Sequence, residues 1–340
     1  MYDGSLFHVS INGSDNNDGS VENPFSSIQF AYDRAKENDT ILVHPGTYND
    51  DIWLYGKNIV LGSLYLSTGD TSFISSTIID GDSTDCTIAI YGNIDSTCRV
   101  TGFTIQNGVG CVYGQGAGIY VESASPRLDN LIIQNNIGGT NGGGICLNGN
   151  SNSLIDKVVI QNNSADAGGG LYIFNSNPVI TNSIINKNHA NNGAGVFLEL
   201  GSPNFENVSI TDNNAISSGG IYCGLTSYPL LNHVTISNNS ASSGGGILSI
   251  QNSDPMLSNS ILWGDAPEEI VSHSDSITIV YSNIQGGWQG VGNIHQDPLF
   301  CMIEVGDYTI AENSPCASTG EDGMNMGAYG IGCSTINFPP

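Results

Sequence analysis

The sequence predicts an all-β fold: a right-handed parallel β-helix of three-strand solenoid coils of about 25–26 residues, with a short N-terminal capping helix. Two repeats and the composition carry this expectation. A Gly-hydrophobic step recurs at Gly118-Ile119, Gly144-Ile145, Gly170-Leu171, Gly195-Val196, Gly220-Ile221 and Gly246-Ile247, at intervals of 26, 26, 25, 25 and 26. A second series sets an isoleucine three residues before an asparagine, at Ile133/Asn136, Ile160/Asn163, Ile185/Asn188, Ile210/Asn213 and Ile236/Asn239. The 44 glycines follow no triplet period and only 11% of residues are charged, a balance that suits a turn-rich β protein rather than a helical bundle. One coil cannot bury its apolar side alone, whereas stacked coils place like residues above like and close a continuous core. The hand follows from the chirality of parallel crossovers.

From the N-terminus, Ser26 or Ser27 can cap a helix whose Ile28, Ala31, Tyr32 and Ala35 fall on one face, and this helix is expected to plug the open end of the solenoid. Ile41-Leu42-Val43, Ile59-Val60-Leu61 and Thr77-Ile78-Ile79 read as strands of irregular early coils. Each regular copy then holds three short alternating stretches divided by Gly, Asn, Ser and Pro, with the prolines of one turn at Pro126, Pro178, Pro203, Pro229 and Pro255. The glycines are expected to serve turns. Asparagines 136, 163, 188, 213 and 239 stack at one turn, where their amides bond along a ladder, and their role is structural. The pattern breaks after Trp263, passes a strand at Ile277-Thr278-Ile279-Val280-Tyr281 and ends in a cysteine-containing tail expected to cap the other end. These breaks divide the chain into an N-terminal cap with early coils (1–84), regular coils (85–263), and last coils with a C-terminal cap (264–340).

Seven Lys and Arg stand against 32 Asp and Glu, a formal charge of −25. That excess repels phosphate and anionic lipid, which sets aside nucleic-acid binding and attachment to a membrane surface. No apolar run is long enough for membrane insertion, and the first residues lack the basic and then apolar pattern of an export peptide, which still leaves room for a mature protein; the localisation expected with the β-helix reading is extracellular or cell-surface. The basic residues are Arg34, Lys36, Lys57, Arg99, Arg127, Lys157 and Lys187, and none lies between 188 and 340. Chemistry needing a cationic pocket must therefore sit in the first half or use a metal. The eight cysteines show no C-x-x-C spacing, which argues against zinc, and a disulfide among Cys301, Cys316 and Cys333 suits an oxidising compartment with its pairing open.

Gly13-Ser14-Asp15-Asn16-Asn17-Asp18-Gly19-Ser20, then Asn23-Pro24-Phe25 and Asp39-Thr40-Ile41-Leu42-Val43-His44-Pro45-Gly46-Thr47-Tyr48, resembles the opening of right-handed parallel β-helix proteins of the pectate-lyase-like superfamily. Asp297-Pro298-Leu299-Phe300, Asn313-Ser314-Pro315-Cys316 and Asn325-Met326-Gly327-Ala328-Tyr329 are similar to the ending of secreted bacterial β-helix proteins. The resemblance implies the fold, and polysaccharide lysis and hydrolysis as the activities to be tested on residues. Eliminative cleavage needs Lys, Arg or His beside a neutralised carboxylate. The second half offers only His189, His233, His273 and His295, in no common register. Polygalacturonases resemble one another in Asn-Thr-Asp, Asp-Asp, Gly-His-Gly and Arg-Ile-Lys segments, of which only Asp50-Asp51 occurs here. No Gly-x-Ser-x-Gly elbow supports a serine hydrolase either.

Binding has a different basis. If Ile119, Ile145, Leu171, Val196, Ile221 and Ile247 point inward, then Tyr120, Tyr172, Phe197 and Tyr222 point outward on one stacked strand, with Glu122 and Glu199 in the next outward column. An exposed aromatic strip flanked by carboxylates offers ring faces for stacking and acceptors for hydroxyls. Asp15 and Asp18, with Asn17, and then Asp80, Asp82 and Asp85 form two oxygen-rich clusters of the kind calcium accepts, though solvated acidic turns explain them as well. No cofactor is required. The expectation is a non-catalytic module that binds a polysaccharide or cell-surface glycan, or mediates adhesion. The alternatives are a polysaccharide lyase or glycoside hydrolase, and a structural protein that self-associates end to end or laterally.

Overall fold

The computed structural model describes residues 5–111, 114–273 and 277–336. The chain winds into a right-handed parallel β-solenoid, and the predicted register is the observed one. Ile119 pairs with Ile145, Ile145 with Leu171, Leu171 with Val196, Val196 with Ile221 and Ile221 with Ile247. The column extends beyond the sequence repeat, to Ile52 and Ile88 on one side and Ile270 on the other. These strands form a nine-stranded sheet; a long sheet of 17 segments faces it across the core, and a short sheet of Ser164–Ala167, His189–Asn192 and Asn214–Ser217 covers part of the third side. In the long sheet the strands bend where Asn130, Lys157, Asn182, Asn207 and His233 adopt positive φ of 50–55°. Arg127–Gln134 runs through this bend, while another coil splits there into Val179–Thr181 and Ile184–Asn186.

The glycine step has a cause other than turn geometry. A Cβ on Gly118 would stand 2.5 Å from the carbonyl oxygen of Gly144, and one on Gly170 would stand 2.7 Å from that of Gly195. Glycine is needed there because neighbouring coils approach too closely for any side chain, not because φ is positive.

Asparagines 136, 163, 188, 213 and 239 are buried. Oδ1 of each of the last four accepts both the backbone N–H and the Nδ2 of the rung before it, at 2.9–3.1 Å. Each Nδ2 also donates to an isoleucine carbonyl, as Asn163 does to Ile133 at 3.0 Å. The N–H, Nδ2 and Oδ1 of each inner rung are thus satisfied by the neighbouring asparagines and an isoleucine carbonyl.

The helix Ile28–Arg34 begins as expected, with the Oγ of Ser27 accepting the N–H of Phe30 at 3.2 Å. Its Ile28, Ala31 and Tyr32, with Ala35, join the main core, so the helix closes the N-terminal end. Gln29 on its other side accepts the Trp53 N–H at 2.8 Å and donates to the Trp53 carbonyl at 3.4 Å, covering the edge strand Ile52–Tyr55. Two short helices, Tyr65–Thr68 and Ser72–Ser76, interrupt the early coils. The tail does not lie across the C-terminal end as expected: it folds back along the side of the last coils. Tyr308 donates to Asp212 at 3.1 Å, and the N–H of Ala328 donates to Thr235 at 2.9 Å. Cys301 pairs with Cys333 and Cys316 stays reduced and buried; a second disulfide joins Cys86 to Cys111.

Candidate functional site

On the nine-stranded sheet, alternation sends Ile119, Ile145, Leu171, Val196 and Ile221 into the core and Tyr120, Cys146, Tyr172, Phe197 and Tyr222 to the opposite face. The direction is as expected, but the exposure is not. Tyr120 is 3% exposed, Tyr172 9% and Phe197 8%, and together with Cys86, Ala89, Cys111 and Cys146 they make a second core. Two contacts cover them. Each turn folds over the strand that follows it, so that a Cβ on Gly116 would strike Tyr120 and one on Gly193 would strike Phe197. The rings also cover one another, Tyr172 on Phe197 with centroids 5.3 Å apart and Phe197 on Tyr222 at 4.4 Å, both nearly parallel. Tyr222 is half-buried. Glu122 and Glu199 occupy the next outward column, half-buried, and burial raises the Glu199 carboxyl above its usual range.

The accessible rings lie two coils earlier than the sequence pattern reached. Ile52–Tyr55 alternates buried and exposed, with Trp53 40% and Tyr55 72% exposed on the outer face. Trp53 stacks on Tyr91 at 5.8 Å, 16° from parallel, because Ala89 stands beside it in the register and leaves room. The Tyr55 ring lies over Gly92, which has no side chain to displace it. Tyr91 is half-buried, and burial, followed by the nearby Glu122 and Asp85 carboxylates, pushes its hydroxyl up to about 12. Carboxylates and exposed ring surface are therefore adjacent here. The alternating Ile52-Trp53-Leu54-Tyr55 was the signal that could have revealed this patch.

The acidic residues are mostly engaged by the chain itself. Oδ1 of Asp15 accepts from the backbone N–H groups of Ser26 and Ser27 and from the Ser26 hydroxyl, which anchors the start of the helix. Asp18 accepts the Ser20 N–H at 2.9 Å. Asp80 accepts the Asp82 N–H on one oxygen and the amides of Gln106 and Asn107 on the other. Asp82 is exposed, and Asp85 accepts the Cys86 N–H beside the Cys86–Cys111 disulfide. Among the described residues the one convergence of three metal-ligand types is Asp85, Cys86 and Cys111, where the disulfide removes both thiolates. Asp50 accepts the Ile28 N–H at 2.7 Å, and Asp51 accepts from Thr84 at 3.3 Å. Two of the cations of the first half are committed too. Arg99 and Arg127 both turn to the buried Asp129, at 2.6 and 2.9 Å.

A group missed from sequence lies at the last rung of the ladder, where Asp265 and Glu269 are buried against a cavity of about 340 Å³ that Trp288 also lines.

Residues 62–228 match the family model described as the right-handed beta helix region. Among solved structures the chain is similar to pectate lyase Pel9A, with 13% identity over 96% of each chain and a TM-score of 0.54. It is also similar to the pectin methylesterase of Aspergillus niger, with 14% identity over 86% of each chain and a TM-score of 0.46. A complex of XylC with xylose aligns at 11% identity over 89% of this chain and 88% of that one, with a TM-score of 0.45. No curated protein matches at the level of sequence. The fold is that of a right-handed parallel β-helix, which the family model describes over residues 62–228. At such identities the likeness is one of fold, and function has to be argued from the site.

Proposed function

We propose that the protein is a non-catalytic glycan-binding β-helix acting outside the cell, and that a neutral polysaccharide lies on the outer face of the nine-stranded sheet at Trp53 and Tyr55. The observation that carries this reading is the pair of large rings, 40% and 72% exposed, on the edge strand Ile52–Tyr55, where Trp53 stacks on Tyr91 and the Glu122 and Asp85 carboxylates lie near. Ring faces stack on sugar C–H surfaces, and carboxylates accept from hydroxyls. A charge of −25 disfavours polyanionic chains such as uronates. The two disulfides support an oxidising compartment. The relatives named for pectate lysis and pectin methylesterase action support a carbohydrate ligand, while Arg99 and Arg127 are held by Asp129, which leaves little for lyase chemistry.

The test is affinity electrophoresis in xylan, mixed-linkage glucan and polygalacturonate, with reducing-end release measured on the same polymers. Retardation by a neutral polymer, its loss in Trp53→Ala/Tyr55→Ala with the melting temperature kept, and no release of reducing ends are expected. Equal retardation of the double variant overturns the site, and release of reducing ends overturns the non-catalytic reading.

A further inference from the structure

The two ring-bearing residues of the edge strand take their outward backbone bonds from the capping helix. Ile52–Tyr55 is the terminal strand of the nine-stranded sheet, so one of its sides pairs with Ile88–Tyr91 and the other meets no strand. The Ile52 N–H turns to the Thr87 carbonyl at 3.0 Å. Alternate residues of a strand direct their N–H and C=O to opposite sides, which leaves those of Trp53 and Tyr55 facing the open edge. There the amide of Gln29 accepts the Trp53 N–H at 2.8 Å and donates to the Trp53 carbonyl at 3.4 Å. The hydroxyl of Tyr32 accepts the Tyr55 N–H at 2.6 Å and donates to the Tyr55 carbonyl at 3.0 Å. Two side chains three residues apart on one helix thus do what a preceding coil would have done with its backbone.

These helix side chains are themselves held. Tyr32 is buried, and its ring belongs to the main core. Nζ of Lys57, two residues past Tyr55, donates to the carbonyls of Tyr32 and Ala35 at 2.6 and 2.9 Å and lies 4.1 Å from the centroid of the Tyr32 ring. A cation at the last carbonyls of a helix stabilises that end. The Gln29 amide donates also to Asp33 at 2.9 Å, which fixes its orientation. The chain therefore closes a circuit on itself: the strand leads to Lys57, Lys57 holds the helix, and the helix holds the strand.

We propose that Gln29 and Tyr32 are positioning residues for the ring site, fixing the backbone of Trp53 and Tyr55 so that both rings meet a polysaccharide already in their binding orientation. The role rests on the glycan reading of the Trp53 and Tyr55 patch. An edge strand with unpaired groups frays into water, and each ring on it would have to be ordered again when a ligand arrives. With the backbone fixed at both residues only side-chain rotation remains, and Tyr91 against Trp53 and Gly92 beneath Tyr55 limit that in turn. Neither Gln29 nor Tyr32 needs to touch the ligand.

The experiment compares Gln29→Ala, Tyr32→Phe, Trp53→Ala/Tyr55→Ala and Phe197→Ala with the wild type by affinity electrophoresis in xylan and in mixed-linkage glucan, and by amide hydrogen exchange of the same full chains. Gln29→Ala and Tyr32→Phe are each expected to bind the polymer that retards the wild type about fivefold or more weakly. The Trp53 amide in the first and the Tyr55 amide in the second should exchange at least about tenfold faster, with Ile52 and Leu54 unchanged. Phe197→Ala controls for stability alone, lowering the melting temperature and leaving retardation as it is. Wild-type retardation of Gln29→Ala and Tyr32→Phe, while the double ring variant loses it, overturns the positioning role and spares the ring site; so does weaker retardation with unchanged exchange at Trp53 and Tyr55. Retardation that survives in the double ring variant, or none in the wild type, overturns the ring site and the positioning role with it. Should Tyr32→Phe fail to fold, Gln29→Ala decides, since Gln29 is half-buried and outside the main core.

Discussion

Phe197 lies face to face with Tyr222, ring centroids 4.4 Å apart and planes 5° from parallel. With Tyr172 on its other side at 5.3 Å, Phe197 has both faces occupied by protein and none left for a ligand. This is how a ladder of outward residues becomes a second core, and why a ligand is expected instead at the exposed rings of Trp53 and Tyr55.

Phe197→Ala should therefore act on stability rather than on binding. Removing a buried ring with neighbours on both faces should cost about 3 kcal/mol. Urea unfolding measures the loss, and polysaccharide retardation of the folded fraction should match the wild type. A variant as stable as the wild type would show that the ring stack contributes nothing to the fold.

Gly170→Ala places a methyl 2.7 Å from the Gly195 carbonyl oxygen and 2.9 Å from Nδ2 of Asn188 and Cγ2 of Ile185, contacts only a shift between coils can relieve. The expected loss is about 2 kcal/mol or more. Gly330→Ala is the control, since its nearest neighbour would be 3.8 Å away and its φ is not positive. Thermal melts of the two should separate clearly; equal melts would refute the close-approach reading.

Asp129 is buried and accepts from Arg99 through Nε and Nη2, both at 2.6 Å, and from Arg127, Thr101 and Asn130 at 2.6–2.9 Å. Burial opposes its ionisation, yet these donors outweigh burial and hold the carboxyl below its usual range. Asp129→Ala removes the acceptor that Arg99, Arg127, Thr101 and Asn130 share and should cost about 1–3 kcal/mol by chemical denaturation. A loss below about 1 kcal/mol, the range of surface pairs, would mean that the cluster is solvated.

Nδ1 of His8 lies 3.0 Å from Nε2 of His44, so one ring donates and the other accepts. Burial lowers both from 6.5, and for His8 the neighbouring His44 lowers it further. A folded-state value below the unfolded one means stability that is present above about 6.5 and lost as pH falls toward the folded values. The melting temperature should drop between about pH 7.5 and 5.5, and the drop should shrink in His8→Gln/His44→Gln. Parallel pH curves for both proteins would show that the pair is not the cause.

The coil register was legible because Ile119, Ile145 and Leu171 repeat both in sequence and in space, and Asn136 to Asn239 was legible for the same reason. Alternation says which side of a strand a residue takes, but not what the next turn lays over it. Tyr120 and Phe197 were therefore placed on the correct side with the wrong exposure. Trp53 escaped because the early coils carry the inserted helices Tyr65–Thr68 and Ser72–Ser76, which break the interval. Asp265 stands in register 26 residues after Asn239 but differs in identity, and a search for asparagine passes over it. Its contact with Glu269 is visible only once the turn between them is folded.

Gln29 gives one end of its amide to the N–H of Trp53 and the other to its carbonyl. Ordinarily those two groups would be the template on which a further strand is laid down. A second molecule seeking to extend this sheet would have to evict an intramolecular partner already held by the capping helix. The solenoid is thereby a terminated polymer of its own repeat at this end. Its length is written by the number of coils in the chain rather than by concentration, and Trp53 keeps its outer surface for contacts other than strand addition.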